Sequence, residues 1–253
     1  MGSKREYTRC LVTRPILRHK NVQFLFDENQ YIPRLRTTGV QVTIIDYGVG
    51  NLRSLQRGLE RADAAVNISS DPAEIASADA LVLPGVGAFG ECVQNSKPFH
   101  DVLIDAAEDT PILGICVGLQ LMFTESTEGA PNGETIEGLD LIPGRVERLP
   151  SDEVKVPHMG WNQLTVERDH PIVDGIEDGE YAYFVHSYGS TVAPHTVASC
   201  DYGFDFAAIA ANETGTVMGT QFHPEKSSDL GLRILQNFVT YAKEFQNDRV
   251  TVS

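Results

Sequence analysis

The sequence predicts an α/β protein built on an open, mixed but mostly parallel sheet with helices on both faces. Three observations lead there: strand-like apolar runs alternate with helical patterns from Val42 to Cys116, the second half turns richer in strands, and the chain closes on an amphipathic helical pattern. At 253 residues, 42% hydrophobic and 22% charged, it is long enough to bury one large core.

Residues 1–40 stand apart. They hold eight Lys/Arg against three Asp/Glu, a net of +5, and show no sustained apolar period of a helix or strand. They are expected to form a basic extension outside the fold, leaving residues 41–248 as the single domain. The Arg-rich, acid-poor start fits a transit peptide, but it has little Ser and no amphipathic helix; an extended start of translation accounts for it equally.

From residue 42, VTIIDYG reads as a buried strand, and NLRSLQRGLERA as a helix with Leu52, Leu55 and Leu59 on one face. AAVNISS is the second strand, DPAEIASA a short helix opened by Asp71 with Pro72 in its first turn, and DALVLPG the third strand. Residues 91–108 make a poorer helix, interrupted by Pro98, before PILGIC supplies the next strand. VKVPHMGWNQLTVE, YAYFVHSYGS, DFAAIAANE and TVMGTQFHP then read as strands between turn residues, and LGLRILQNFVTYAKEF as the closing helix.

Composition narrows the function. Residues 41–253 carry 12 Lys/Arg against 32 Asp/Glu, a net of −20, which argues against nonspecific binding to nucleic acid or to an anionic membrane. So many carboxylates with so few lysines fit a protein kept soluble in concentrated salt, where screening removes self-repulsion, or simply an acidic cytosolic one. No window approaches the about 18 apolar residues of a spanning helix, and no signal-peptide core is present, so a cytoplasmic address is expected. Cys10, Cys92, Cys116 and Cys200 show no CxxC spacing and the histidines no HExxH, so neither a metal nor another cofactor is expected. Tyr47-Gly48-Val49-Gly50-Asn51 follows a strand as a dinucleotide fingerprint would, but Arg53 stands where the third glycine belongs; a tight strand-to-helix turn is expected.

Three segments carry chemistry. In Gly114-Ile115-Cys116-Val117-Gly118 glycines flank the cysteine two residues away on each side, as at a nucleophile elbow, although a buried structural cysteine explains this segment equally well. In Thr220-Gln221-Phe222-His223-Pro224-Glu225 a histidine follows a strand, and Glu225 is placed to fix its tautomer; a capped loop histidine is the alternative. Leu83-Pro84-Gly85-Val86-Gly87 ends another strand with N–H groups that could stabilise an oxyanion, and its two glycines make the peptides around Val86 easy to reorient. All three fall at strand ends, where open α/β sheets place their sites. Of His19, His100, His158, His170, His186 and His195, most read as solvent-facing or packed.

At these residues the chain resembles a known family. GICVGLQ and QFHPEKSS are similar to the nucleophile and His/Glu motifs of class I, triad-type glutamine amidotransferases, which have a flavodoxin-like fold. VTIIDYGVGNLRSL, LPGVGAFG, PHMGWNQL and YFVHSYG narrow the resemblance to the HisH family, glutaminase subunits of imidazole glycerol phosphate synthase in histidine biosynthesis. It covers residues 42 to about 245 and leaves out the first 40. It implies that Cys116 attacks the glutamine amide, His223 shuttles the proton and Glu225 orients His223. It further implies that Gln120 and Gly87, with the backbone at Ser187 and Tyr188, hold glutamine, and that the Val86 and Val117 N–H groups, next to Gly85, form the oxyanion hole. The ammonia would pass to a (β/α)₈ cyclase subunit of HisF type in a heterodimer, with Trp161 and Lys226 at the contact and tunnel mouth. Three alternatives remain: the glutaminase subunit of another amidotransferase, which should lack DYGVGN and PHMGWN; a thiol hydrolase, which would usually place its acid before its histidine; and a noncatalytic binding subunit, against which the intact Cys116, His223 and Glu225 weigh.

Overall fold

The computed structural model describes residues 39–131 and 133–252, so the expected extension, apart from Gly39 and Val40, lies outside the described residues. Val40 is buried, and its carbonyl accepts from Ala65 N at 3.0 Å.

The first half follows the expected order: β1 (Gln41–Ile45), α1 (Leu52–Arg61), β2 (Ala65–Ser69), α2 (Pro72–Ala76), β3 (Ala80–Leu83), α3 (Phe89–Ser96), α4 (His100–Ala106) and β4 (Ile112–Ile115). Local chemistry explains the boundaries. The side chain of Asn51 caps α1 by accepting from Ser54 N at 3.4 Å, and Leu55 and Leu59 turn inward. Asp71 caps α2 by accepting from Ala73 N at 2.9 Å, with Pro72 at the first helical position. Pro98 lies in a 3-10 turn, Lys97–Phe99, that separates α3 from α4 and accounts for the weak helical signal.

Next come α5 (Val117–Met122), β5 (Phe123–Ser126), β6 (Ile136–Glu137), β7 (Ile142–Arg148), β8 (His158–Gln163), β9 (Thr165–Val166), β10 (Tyr181–His186), β11 (Tyr188–Ser190), β12 (Thr196–Asp201), β13 (Asp205–Ala211), β14 (Val217–Thr220) and α6 (Ser228–Val252). Sequence reading did not assign β5, β6, β7 or β12. β5 and β6 are short, β7 contains Pro143 and Gly144, and β12 is buried at five successive positions with no polar alternation to mark it.

The main sheet runs β2-β1-β3-β4-β14-β13-β12-β9. Its pairs are parallel from β2 through β14 and antiparallel from there to β9. The connection through α1 steps one way along the sheet and those through α2 and α4 step the other way, so right-handed crossovers put them on opposite faces. α1 accordingly packs with α6, and α2 with α4. β3, β4 and β14 are buried throughout, as parallel strands covered on both faces must be. A two-stranded sheet, β10-β8, and a four-stranded one, β11-β7-β5-β6, complete the strands among the described residues. Among the described residues no helix is long and apolar enough to cross a membrane.

β3, β4 and β14 are immediate neighbours, so their carboxyl ends, each carrying one of the three chemical motifs, come together at one edge.

Candidate active site

Cys116 follows β4 directly and caps α5 with φ 55° and ψ −112°. That left-handed backbone is costly for a residue with a side chain, by about 1–3 kcal/mol, and marks the sharp strand-to-helix turn of a nucleophile elbow. The turn is held by its surroundings: Cys116 N donates to Thr220 O of β14 at 2.7 Å, and the Cys116 carbonyl accepts from Gln120 N at 3.1 Å. The residue is 3% exposed, and Sγ lies 3.9 Å from the Val185 carbonyl and 3.8 Å from Gln221 Nε2.

Gly118 makes the elbow possible by close approach. A Cβ there would stand 1.9 Å from the Leu83 carbonyl oxygen, and one on Gly85 would stand 2.2 Å from Gly118 N. The elbow and the loop after β3 therefore meet backbone to backbone. Within that loop the Tyr47 hydroxyl donates to the Pro84 carbonyl and the Cys92 thiol to the Val86 carbonyl, pinning the groups on either side of the Gly85–Val86 peptide. Burial raises the Cys92 thiol to about 11, so it stays a neutral donor. Among the described residues neither Val86 N–H nor Val117 N–H is given to a protein acceptor.

His223 follows β14 and leads into a 3-10 turn, Pro224–Lys226. Its Nδ1 is 3.0 Å from Glu225 Oε1, with both side chains under a tenth exposed. The loop is fastened to β10: Tyr183 O accepts from His223 N at 3.2 Å, and Ser227 Oγ accepts from Tyr183 N at 2.9 Å while donating to His223 O at 2.7 Å. Burial pulls the His223 pKa down, but hydrogen bonds to Cys116 and Glu225 and their negative charge outweigh it, raising it to about 9. The proton on Nδ1 belongs to the carboxylate contact, which leaves Nε2 for Cys116.

A cavity of about 310 Å³ opens over these groups, lined by Val86, Gly87, Cys116, Val117, Gln120, Ser187, Tyr188, His223 and Lys226 among the expected residues. Glu225 stands behind His223, and Gly85 behind the loop against Gly118. Trp161 does not line it: the indole is 50% exposed on the outer side of β8, 5.7 Å from the Tyr183 ring. Gln120 Nε2 donates to Tyr188 O at 2.9 Å and to Gln221 Oε1 at 3.1 Å, leaving Gln120 Oε1 buried without a protein partner.

Glu128, Pro157, Val185 and His186 also line the cavity and were not singled out from sequence. Burial raises the Glu128 carboxyl, which accepts from Phe89 N at the start of α3. The one sequence signal that could have found His186 is the pairing of PHMGWN with YAYFVH, which sets it opposite His158 in register.

Comparison with known proteins agrees with this geometry. Residues 43–242 match the family described as Glutamine amidotransferase class-I. The chain is 56% identical over 210 residues to the imidazole glycerol phosphate synthase subunit HisH of Natronomonas pharaonis, covering 81% of this chain and 96% of that one. It is 55% identical over 212 residues to the HisH of Halobacterium salinarum, with 81% and 95% covered. Against the HisH of Methanosarcina acetivorans the identity is 53% over 201 residues, with 79% and 98% covered. Among solved structures, a putative GMP synthase subunit from Thermoplasma acidophilum superposes with a TM-score of 0.66 at 20% identity, covering 84% of this chain and 98% of that one. PurLQS from Thermotoga maritima gives 0.64 at 19%, covering 81% and 99%; at such identities the likeness speaks to fold alone.

Proposed function

The chain belongs to the class-I glutamine amidotransferases and, within them, to the HisH family of imidazole glycerol phosphate synthase subunits, and from that premise we propose how its cavity hydrolyses glutamine and where the ammonia goes. The observation that carries the proposal is the junction of Cys116, in its left-handed turn, with the His223–Glu225 pair on the next strand, over a single cavity.

Cys116 attacks as the thiolate at the carboxamide carbon of glutamine. The negative oxygen formed there is held by the N–H groups of Val86 and Val117, a kind of donor whose removal typically costs about 10²–10³ in rate. The C–N bond breaks as His223 gives its proton to the departing nitrogen, releasing ammonia and leaving a glutamyl thioester on Cys116. His223 then takes a proton from water, which opens the thioester to glutamate and restores the thiol. Glu225 keeps the His223 proton on Nδ1 and offsets the charge of the imidazolium. Gly87, Gln120 and the backbone at Ser187 and Tyr188 hold the substrate. Both lone pairs of the Tyr188 carbonyl are already occupied, by His186 and Gln120, so Tyr188 offers its N–H and ring. The Glu128 carboxylate complements the ammonium of an amino-acid substrate.

The ammonia passes to a cyclase subunit of HisF type in a heterodimer, with Trp161 on the contact surface and Lys226 at the mouth of the passage. Direct transfer follows from the chemistry, because ammonia released into neutral water is protonated and loses the lone pair with which it attacks. The test is synthesis by the complex of the two subunits. Cys116→Ala is expected to abolish glutamine-dependent synthesis and leave synthesis from added ammonium salt intact. Equal loss of both would assign Cys116 a structural role and end the proposal.

A further inference from the structure

Next to Val185, whose carbonyl lies 3.9 Å from Cys116 Sγ, His186 ends β10 directly opposite His158 at the start of β8. His158 Nδ1 lies 3.0 Å from His186 Nε2, and His186 Nδ1 lies 2.9 Å from the Tyr188 carbonyl oxygen. The two residues are 2% and 6% exposed, and the His158 ring is sandwiched between Phe184 and Tyr202. Burial lowers His158 to about 4 and His186 to about 3, so both rings are neutral near neutral pH.

A neutral imidazole has one donor and one acceptor nitrogen, and a carbonyl only accepts. His186 therefore donates from Nδ1 to Tyr188 O, its Nε2 is the acceptor, and His158 donates to it from Nδ1. The second lone pair of Tyr188 O takes Gln120 Nε2, which fixes the Gln120 carboxamide with its nitrogen inward and Oε1 as the free acceptor. Donors thus converge on the Tyr188 carbonyl: His158 gives to His186 and His186 to Tyr188 O, while Gln120 in the cavity wall gives to the same oxygen.

We propose that His186, held in one tautomer by His158, is a positioning residue for glutamine: it anchors the Tyr188 carbonyl so that Gln120 presents an acceptor, and the site selects a substrate bearing an N–H donor at that point. This rests on the assignment of glutamine as substrate. Without the His186 donor, the Tyr188 carbonyl loses one of its two anchors. The Gln120 amide, whose terminal torsion is broad and roughly two-fold, then keeps its bond to Gln221 Oε1 but loses a fixed Tyr188 partner, and Oε1 is held less firmly toward the substrate's donor. Substrate binding weakens, whereas the Cys116–His223–Glu225 contacts, which do not pass through His186, persist.

The experiment, on the complex with the cyclase subunit, measures kcat and KM for glutamine, together with the rate of Cys116 alkylation by iodoacetamide, which needs no glutamine subsite. His186→Phe keeps the ring and removes both hydrogen bonds; KM is expected to rise about tenfold, the loss of one buried hydrogen bond, with kcat and alkylation little changed. His186→Asn, whose side-chain nitrogen falls near the position of Nδ1, is expected to restore most of the affinity. His158→Phe leaves the His186–Tyr188 bond but frees the tautomer, gives a smaller rise in KM, and carries the same test should His186→Phe not fold. An unchanged KM in the phenylalanine variants overturns the proposal, as does a joint fall of kcat, affinity and alkylation rate that asparagine does not repair. Wild type inert toward glutamine yet alkylated normally would overturn the substrate assignment itself, and the proposal with it.

Discussion

The wall of the cavity built by the ends of β3, β4 and β14 and the wall built by β8, β10 and β11 hold their working groups by different means. On the first, backbone geometry does the positioning: Cys116 is lifted by its own left-handed φ, and Gly85 and Gly118 let two loops touch at main-chain distance. On the second, buried side chains do it: His158 gives a hydrogen bond to His186 and His186 to the Tyr188 carbonyl, which also accepts from Gln120 of α5 across the cavity. Main-chain positioning is rigid and intolerant of added atoms. Side-chain positioning tolerates changes of volume but depends on protonation.

Added volume tests the difference most severely. Gly118→Ala would place a Cβ 1.9 Å from Leu83 O and 3.0 Å from Pro84 C, both main-chain atoms that cannot swing away. Thermal or denaturant unfolding is expected to show a loss of about 3 kcal/mol or more, with activity lost alongside. Gly189→Ala on the other wall meets the His186 ring at 3.7 Å and Gln221 Oε1 at 3.8 Å, ordinary contact distances, and is expected to cost less than about 1 kcal/mol. Equal penalties would erase the distinction.

Glu225→Gln probes the one side-chain pair on which the first wall depends. It keeps the shape but no longer fixes the His223 tautomer, so glutamine turnover is expected to fall by about 10³–10⁴ at little cost in KM. A fall in affinity alone would place Glu225 with the substrate-holding wall.

The pH dependence of unfolding separates the walls by sign. His223 has a raised pKa, so the folded protein binds more protons between about 6.5 and about 9, and its contribution is full below that window and lost as pH rises through it. His158 and His186 have lowered pKa values, so the unfolded chain binds more protons below about 6.5, and their contribution is lost as pH falls toward about 4 and about 3. Melting temperature is expected to decline on both sides of neutral pH. Glu225→Gln should flatten the alkaline limb and His186→Phe part of the acid limb, to which His158, His170, also lowered to about 4 by burial, His195 and His100 contribute as well. If either variant flattened the opposite limb, the assignment of groups to limbs would be wrong.

The smallest effect is expected from a segment assigned to neither wall. Deleting residues 2–38 should leave turnover within about twofold and folding unchanged, because this basic, aperiodic stretch contains none of the residues proposed for catalysis or substrate binding. Failure of the shortened chain to fold or to pair would place the segment inside the domain.

The same division explains what could be read from sequence. The elbow at Cys116 and the pair at His223 and Glu225 are local patterns, and the alternation that places them at neighbouring strand ends is a local signal repeated along the chain. Gly85 and Gly118 were legible as motif glycines but not as partners, because their contact joins residues 33 apart in the chain. Glu128 and His186 were missed for a similar reason: Glu128 sits in a turn beyond β5, and His186 reads as one more packed histidine until the β8–β10 register sets it against His158. Trp161, read from the resemblance as a contact residue, lies on an outer strand face whose use depends on a partner chain.

Central to the account is that Cys116 is the nucleophile and that the cavity above it takes glutamine. The most direct test treats the intact complex with a diazoketone analogue of glutamine and maps the modified residues by peptide mass spectrometry, with and without glutamine. One adduct is expected, on Cys116, suppressed by glutamine, with the buried Cys92 and Cys200 unmodified. An active complex in which Cys116 stays unmodified, or in which the adduct forms on another cysteine and glutamine does not protect it, would contradict the account.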